Sequence, residues 1–176
     1  LSAALTAAIP DLLPRIHLHE THKRFYRYEQ TSVPQLTAAV DGVHYQCIDA
    51  DFLAHATYQN INAVKAETAW MWASPAAFQT HGFGYVALLA DTIVCWCTAE
   101  YVSECMCGIG IETVPEFQNK GIATATAAHF VDECLRRRIV PHWECDGQNI
   151  GSMRVAEKVG FSIHSETVVW GGRLDV

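Results

Sequence analysis

Short runs of apolar and β-forming residues fill the middle of this chain, and the apolar period lengthens to that of a helix in its last third. VHYQCI (43–48) is rich in strand formers and predicts a β-strand. Asp49 or Asp51 can cap a helix over FLAHATY, and a second helix is expected over INAVKAETAWMW. Ser74-Pro75 marks another helix start, with serine as the cap and proline at the first helical position. GYVALLA (84–90) and TIVCWCTA (92–99) predict strands joined at Asp91, and CMCGIGIETV (105–114) predicts the next. With no helix between them, these three form an antiparallel meander.

From Gly121 to Arg138 the apolar residues Ala123, Ala127, Phe130, Val131 and Cys134 recur at helical spacing. The eighteen residues would span about 27 Å. Arg136, Arg137 and Arg138 fall in the last turn, where cations suit the helix dipole. PHWEC (141–145) predicts a short strand. Asn149 can cap a helix over 150–159 that stops at Gly160, and FSIHSETVVW (161–170) predicts a strand. The whole reads as an α/β chain of the α+β type: a mixed, mostly antiparallel central sheet with helices on both faces. Residues 1–40 are punctuated by Pro10, Pro14 and Pro34, and RFYRYE (24–29) has strand composition. They are taken as an N-terminal segment of uncertain structure before a domain over 41–176. A strand beyond Gly171-Gly172 would be short, which leaves another chain, as in a homodimer, or the N-terminal segment to complete the sheet.

The chain has 176 residues, enough for one domain with a real core. Its net charge of −7 argues against a nucleic-acid footprint and suits a cationic small substrate. No apolar run approaches the roughly 20 residues of a membrane span. The opening LSAALTAAIPDLLP lacks a basic leader and makes a poor signal peptide. Seven cysteines, an odd number without export features, are expected to be free thiols in a reducing, cytoplasmic compartment.

Four of those cysteines form two Cys-x-Cys pairs. With a turn centred on Tyr101, Cys97 would lie opposite Cys105 and Cys95 opposite Cys107, all on one face. Alternate strand residues are about 6.6 Å apart, whereas thiolates around zinc must approach to about 3.8 Å. The hairpin is therefore expected to pack its thiols as small hydrophobes, without metal. HLHETH, with His17, His19 and His22, is not H-E-x-x-H and is expected to expose its histidines near a loose N-terminus.

The strongest chemistry lies in VPEFQNKGIATAT. A strand ends at Val114, Pro115 turns the chain, and Gln118-Asn119-Lys120-Gly121-Ile122-Ala123 leads into the long helix. A helix start exposes unpaired N–H groups and suits a pyrophosphate. Gly121 allows close approach to the backbone, and Ala123, Thr124 and Ala125 keep the first turn uncrowded. The glycine could equally be a flexible joint at a strand–helix turn.

Gln118-x-x-Gly121-x-Ala123 resembles the Q/R-x-x-G-x-G/A motif of the GNAT superfamily of N-acetyltransferases. Asn149-x-x-Ser152 followed by Glu157-Lys158-x-Gly160-Phe161 is similar to the later helix segment of that superfamily. The likeness covers the second half well, residues 51–72 loosely, and residues 1–40 hardly at all. It implies that acetyl-CoA lies where the strands ending at Val114 and Cys145 splay apart. Ile111, Glu112, Thr113 and Val114 would then follow the pantetheine arm. The backbone of Gln118, Asn119, Lys120, Gly121, Ile122, Ala123 and Thr124 would hold the pyrophosphate, with Asn149 and Ser152 on the other wall.

The implied reaction is attack of a small-molecule or peptide amine on the thioester, with no metal. Glu112 is the first choice of base, Glu144 the second, and Glu100 and Glu104 are weaker candidates. A tyrosine acid is common in the superfamily where this chain has Ala156. Ser152, Tyr58, Tyr101 or water could replace it. Some related enzymes have a glutamate where this chain has Gly108. The acceptor pocket is expected around Tyr58, Asn60, Asn62, Glu67, Trp70 and Trp72, with Trp143 and Glu144 opposite. A non-catalytic acyl-CoA-binding or regulatory module is the alternative, and a thiol-based metal or redox protein a third reading.

Overall fold

The structure, a computed structural model, describes residue 8 and residues 16–33 and 40–174. The chain runs β1 (Ile16–Arg27), β2 (Val43–Ile48), α1 (Ala50–His55), α2 (Ile61–Met71), α3 (Pro75–His81), β3 (Gly84–Leu89), β4 (Thr92–Val102) and β5 (Met106–Thr113). A 3-10 turn (Pro115–Phe117), α4 (Ile122–Arg137), β6 (Val140–Asp146), α5 (Ile150–Val159) and β7 (Ser162–Leu174) follow. Start signals read from the residues act as expected. Asp49 accepts from Phe52 N at 2.8 Å and Ser74 from Ala77 N at 3.1 Å. Gly160, at φ 110°, ends α5 in the left-handed conformation that glycine tolerates.

The strands form one seven-stranded sheet in the order β2-β3-β4-β5-β6-β1-β7. Only β5 and β6 pair in parallel; the other pairs are antiparallel. Phe130, Val131 and Cys134 of α4 and Met153, Ala156 and Val159 of α5 pack with Cys97, Cys107, Ile109, Trp143 and Phe161 on one face. Phe52, Val64 and Phe78 of α1, α2 and α3 pack with Ile48, Val86, Ile93 and Trp96 on the other. Alternation along β4 explains the division, since Cys95 and Cys97 turn toward α4 while Trp96 turns away.

The N-terminal segment joins the sheet, one of the two outcomes expected, and the strand composition of 24–29 falls at the end of its strand. Residues 16–27 are not loose: they form β1, inserted between β6 and β7. The boundary expected near residue 40 therefore does not separate this segment from the sheet. β7 also runs on through Gly171-Gly172 to pair with β1. The chain thus completes this side of its own sheet. His19 and His22 are exposed on this strand, and His22 lies 3.8 Å from Glu20 and 4.0 Å from Glu166.

The cysteine hairpin keeps its strands but not its register. Cys95 faces Thr113 and Cys97 faces Ile111. The turn lies at 103–105, where Ser103 N donates to Met106 O at 2.8 Å and Met106 N to Ser103 Oγ at 3.0 Å. Cys95, Cys97 and Cys107 are buried and Cys105 is exposed, so the four thiols share no face. Cys97 and Cys107 pack with Cys134 of α4. Burial pushes the Cys95 thiol up to about 11. Among the described residues no group of His, Cys, Asp and Glu is arranged to hold a metal, and no helix is long and apolar enough to cross a membrane.

Candidate active site

β5 and β6 pair through only Met106–Val140, Cys107–Pro141 and Gly108–His142. Past Gly108 the two strands part. A cleft of about 550 Å³ opens there, lined by Ile111, Glu112 and Thr113 of β5, the loop and first turn of α4, and the exposed side of α5.

The α4 side is built by backbone. Asn119 (φ 60°) and Gly121 (φ 83°) adopt left-handed conformations, and no side chain caps the helix. The first-turn N–H groups beside Ile122, Ala123 and Thr124 therefore lack intrahelical partners and stand at the cleft. A Cβ on Gly121 would meet nothing within 4 Å. The positive φ, rather than crowding within the chain, selects glycine here. Gln118 Nε2 donates to Thr113 O at 3.2 Å, tying the loop to the end of β5.

Most of the expected cofactor residues, from Ile111 and Thr113 through Gln118, Asn119, Gly121, Ile122, Ala123 and Thr124 to Asn149 and Ser152, come together around this cleft. Two do not line it. Lys120 folds its ammonium over the Phe117 ring, 5.0 Å from the centroid. Val114 packs toward the α1–α3 side, and its N–H donates to Val94 O at 3.0 Å.

On α5, Asn149 Oδ1 accepts from Ser152 N at 3.0 Å, and Ser152 Oγ accepts from Trp143 Nε1 at 3.0 Å. The serine is thereby oriented, and its hydroxyl also bonds the Cys145 thiol behind it. Arg154 and Lys158 also line this wall; Arg154 escaped the sequence reading, and Lys158 entered it only as part of the family-like helix segment, with no role. They lie four residues apart, hence on one helix face. Two cations facing an uncapped helix start suit a polyanionic ligand.

Trp143 is a correction. It is 1% exposed and makes an edge contact with Phe161. Pro141, Trp143 and Cys145 of β6 turn inward, whereas His142 and Glu144 turn to the other face. Trp143 cannot touch an acceptor alongside Glu144; it positions Ser152. Tyr58 stacks on Phe52 at the margin of the α1–α3 core, with centroids 5.9 Å apart, and does not line the cleft. Trp70 is 82% exposed and likewise lies outside the cleft lining. Trp72 docks the end of α2 on β4, its Nε1 donating to Ala99 O at 2.7 Å. Ala156 is fully buried on the core side of α5, and Val155 lines the cleft instead. Neither can supply a proton.

Behind the parting strands, the α2 side of the sheet is acidic. Glu112 is exposed on β5, and Glu144 of β6 pairs with Lys23 of β1 at 3.6 Å. Burial and Glu112 raise the Glu67 carboxyl above the ordinary range. Burial, Glu144 and Glu67 push Glu100 up to about 7, against a lowering effect of Lys23. Tyr101 Oη lies 3.0 Å from His142 Nδ1, and Phe25 stacks on the His142 ring at 6.0 Å.

Comparison with known proteins bears on the family and the fold. The family model for GNAT acetyltransferase matches residues 8–170. A curated relative, the uncharacterized N-acetyltransferase YdfB of Bacillus subtilis, is 28% identical over 153 residues. That match covers 87% of this chain and 57% of the relative, so the chain spans little more than half of its length. A crystal structure of a GCN5-related N-acetyltransferase-like protein from Streptococcus suis superposes with TM-score 0.73 at 17% identity, covering 98% of this chain and 69% of that one. A GCN5-related N-acetyltransferase from Sphaerobacter thermophilus gives TM-score 0.64 at 13% identity, covering 98% and 56%. At these identities the two structures share the fold.

Proposed function

Because this chain belongs to the GNAT acetyltransferase family, we propose that it moves an acetyl group from acetyl-CoA to an amine of a small molecule or peptide, by direct attack on the thioester. The observation that carries this reading is the parting of β5 and β6 beside the uncapped start of α4.

The first-turn N–H groups of α4 hold the pyrophosphate on one side, and Arg154 and Lys158 neutralise phosphate charge from the other. Backbone groups of β5 past Gly108, released from strand pairing with β6, take the amides of the pantetheine arm and orient the thioester. Acetyl-CoA supplies the activated acyl group. A backbone N–H at the parting stabilises the oxyanion. Ser152, held by Trp143 and by its own N–H to Asn149, donates a proton toward the leaving thiolate. The carboxylates of Glu67, Glu100, Glu112 and Glu144 attract a cationic acceptor. Unpaired, largely buried thiols suit a reducing, cytoplasmic setting.

Raised melting temperature with acetyl-CoA, together with release of CoA thiol across a panel of amines, is the expected result. No shift with either acetyl-CoA or CoA overturns the reading. A melting shift with no thiol release from any amine favours the second reading, an acyl-CoA-binding module without turnover. That second reading draws on Ala156 and Val155, which leave α5 without a tyrosine acid.

A further inference from the structure

We propose that Glu100 of β4, rather than Glu112, is the general base that takes the proton from the acceptor amine. The inference rests on the acyl-transfer reading above. It comes from a bulge in β4. Ala99 pairs with Ile109 and Tyr101 with Gly108, and Glu100 between them has no partner across the ladder. A bulge re-aims side chains. Here it puts two consecutive residues, Glu100 and Tyr101, on the same face of the sheet. Each lies over a glycine of β5. A Cβ on Gly110 would stand 3.2 Å from both Cγ and Oε1 of Glu100, and one on Gly108 would stand 2.3 Å from Cε1 of Tyr101. β5 gives up its side chains at those two positions, and the Glu100 carboxylate thereby rests against the backbone just beyond the last rung shared with β6. Ile111 and Glu112, which follow, already line the cleft.

The surroundings suit proton acceptance. Glu100 is half-buried, whereas Glu112 is exposed. Glu67 approaches from α2, its Oε1 3.5 Å from the same Gly110 position. Glu144 acts from β6, Glu112 lies further along β5, and Tyr101, itself bonded to His142, flanks the group. The cation acting on it is Lys23 of β1, 3.6 Å from Glu144. Burial and the two neighbouring carboxylates hold Glu100 near neutrality, where a base balances ionised fraction against basicity. The bulge is fixed from behind by Trp72, whose Nε1 donates to Ala99 O.

The step balances as follows. An ammonium acceptor gives one proton to the Glu100 carboxylate, and its nitrogen lone pair forms the C–N bond at the thioester carbonyl. When the carbonyl reforms, the C–S bond breaks and its electron pair leaves on sulfur. The nitrogen then carries two protons: it keeps one and passes the other through the Ser152 hydroxyl to the thiolate, giving amide and CoA thiol with the serine restored. The proton on Glu100 is released to solvent.

The test is the pH–rate profile of Glu100→Gln and Glu100→Asp, measured by thiol release with the best acceptor from the amine panel. Glu100→Gln is expected to lose about a hundredfold or more in kcat/KM and the acid limb of the profile. Its acetyl-CoA melting shift should persist. Glu100→Asp should restore part of the rate together with that limb. Glu104→Gln, at the exposed β4–β5 turn, serves as the control and retains activity. Turnover in the wild type with an unchanged rate and acid limb in Glu100→Gln overturns this assignment alone. Loss of the melting shift in Glu100→Gln also overturns it, since the residue would then be structural. A wild type that neither binds nor turns over acetyl-CoA overturns the acyl-transfer reading, and this inference with it.

Discussion

The Tyr101 ring covers the backbone of Gly108 so closely that a single added methyl group at that glycine would stand 2.3 Å from Cε1 of the ring. Glycine is the one residue that leaves room there for a neighbour's phenol. Gly108→Ala is therefore expected to push Tyr101 outward and break its 3.0 Å contact with His142. The ring is partly exposed and can give way, so the cost should lie near the low end of overpacking, about 1 kcal/mol. Urea denaturation of Gly108→Ala, Tyr101→Ala and the double variant checks this. The double variant should lose less than the sum of the two singles.

Gly121→Ala isolates backbone conformation from contact. The new Cβ meets nothing within 4 Å, but φ is 83°. Strain of about 1–2 kcal/mol is expected from the left-handed conformation. The effect on the KM for acetyl-CoA should be larger than on the KM for the amine. Equal changes in both would detach Gly121 from the cofactor side.

Arg154→Ala and Lys158→Ala are expected to weaken CoA binding severalfold each, with a shallower dependence on salt. Calorimetric titration at low and high ionic strength measures both. The fold should be unaffected, since both side chains are exposed on α5.

Glu100 also makes a stability prediction. Its carboxyl is held at about 7 in the fold, above its ordinary value of 4.5. The folded protein therefore binds its proton more tightly than the unfolded chain, and stability falls as pH rises from about 4.5 through 7. Glu100→Gln removes that penalty. Partial exposure discounts the gain to roughly 1 kcal/mol, or on the order of 2–4 °C in Tm for a domain this size. The rise should be seen at pH 8 and vanish near pH 4.5.

The thiols sort by access. Cys105 is exposed and Cys47 is half-buried, while the other five are buried. Titration of the native protein with a thiol reagent should show one fast equivalent at Cys105 and a slower one at Cys47, whose thiol burial pushes up. The rest should react only on unfolding. Cys105→Ser should remove the fast phase.

The second half of the fold was legible because its signals are local. Asn149, Gly160 and the change of period at Gly121 each act within a turn of chain. β1 was legible only in the strand composition of 24–29, and its place in the sheet was not, because both of its partners are distant: 125 residues separate Thr21 from Asp146, its hydrogen-bond partner. The cofactor wall was written in the Gln118–Thr124 loop, while Arg154 carried only a helical spacing from Lys158, which the family-like segment named without a role. The hairpin register failed because sequence symmetry about Tyr101 is broken by the bulge at Glu100 and a turn set by Ser103. The same bulge explains why Glu100 ranked low as a base. In a regular hairpin turning at Tyr101 it would sit at the tip, far from the reacting centre. Trp143 is different, since plain alternation in PHWEC already separates it from Glu144.

The inserted position of β1 bears on how the chain is made. This strand is made before either of its sheet neighbours, β6 and β7, which lie beyond residue 139. Until they arrive, its two edges are unpaired, and β7 has no other strand to join. Final closure of the sheet therefore waits until β7 has been made. Chains stalled before β6 would present an open strand to solvent and to one another.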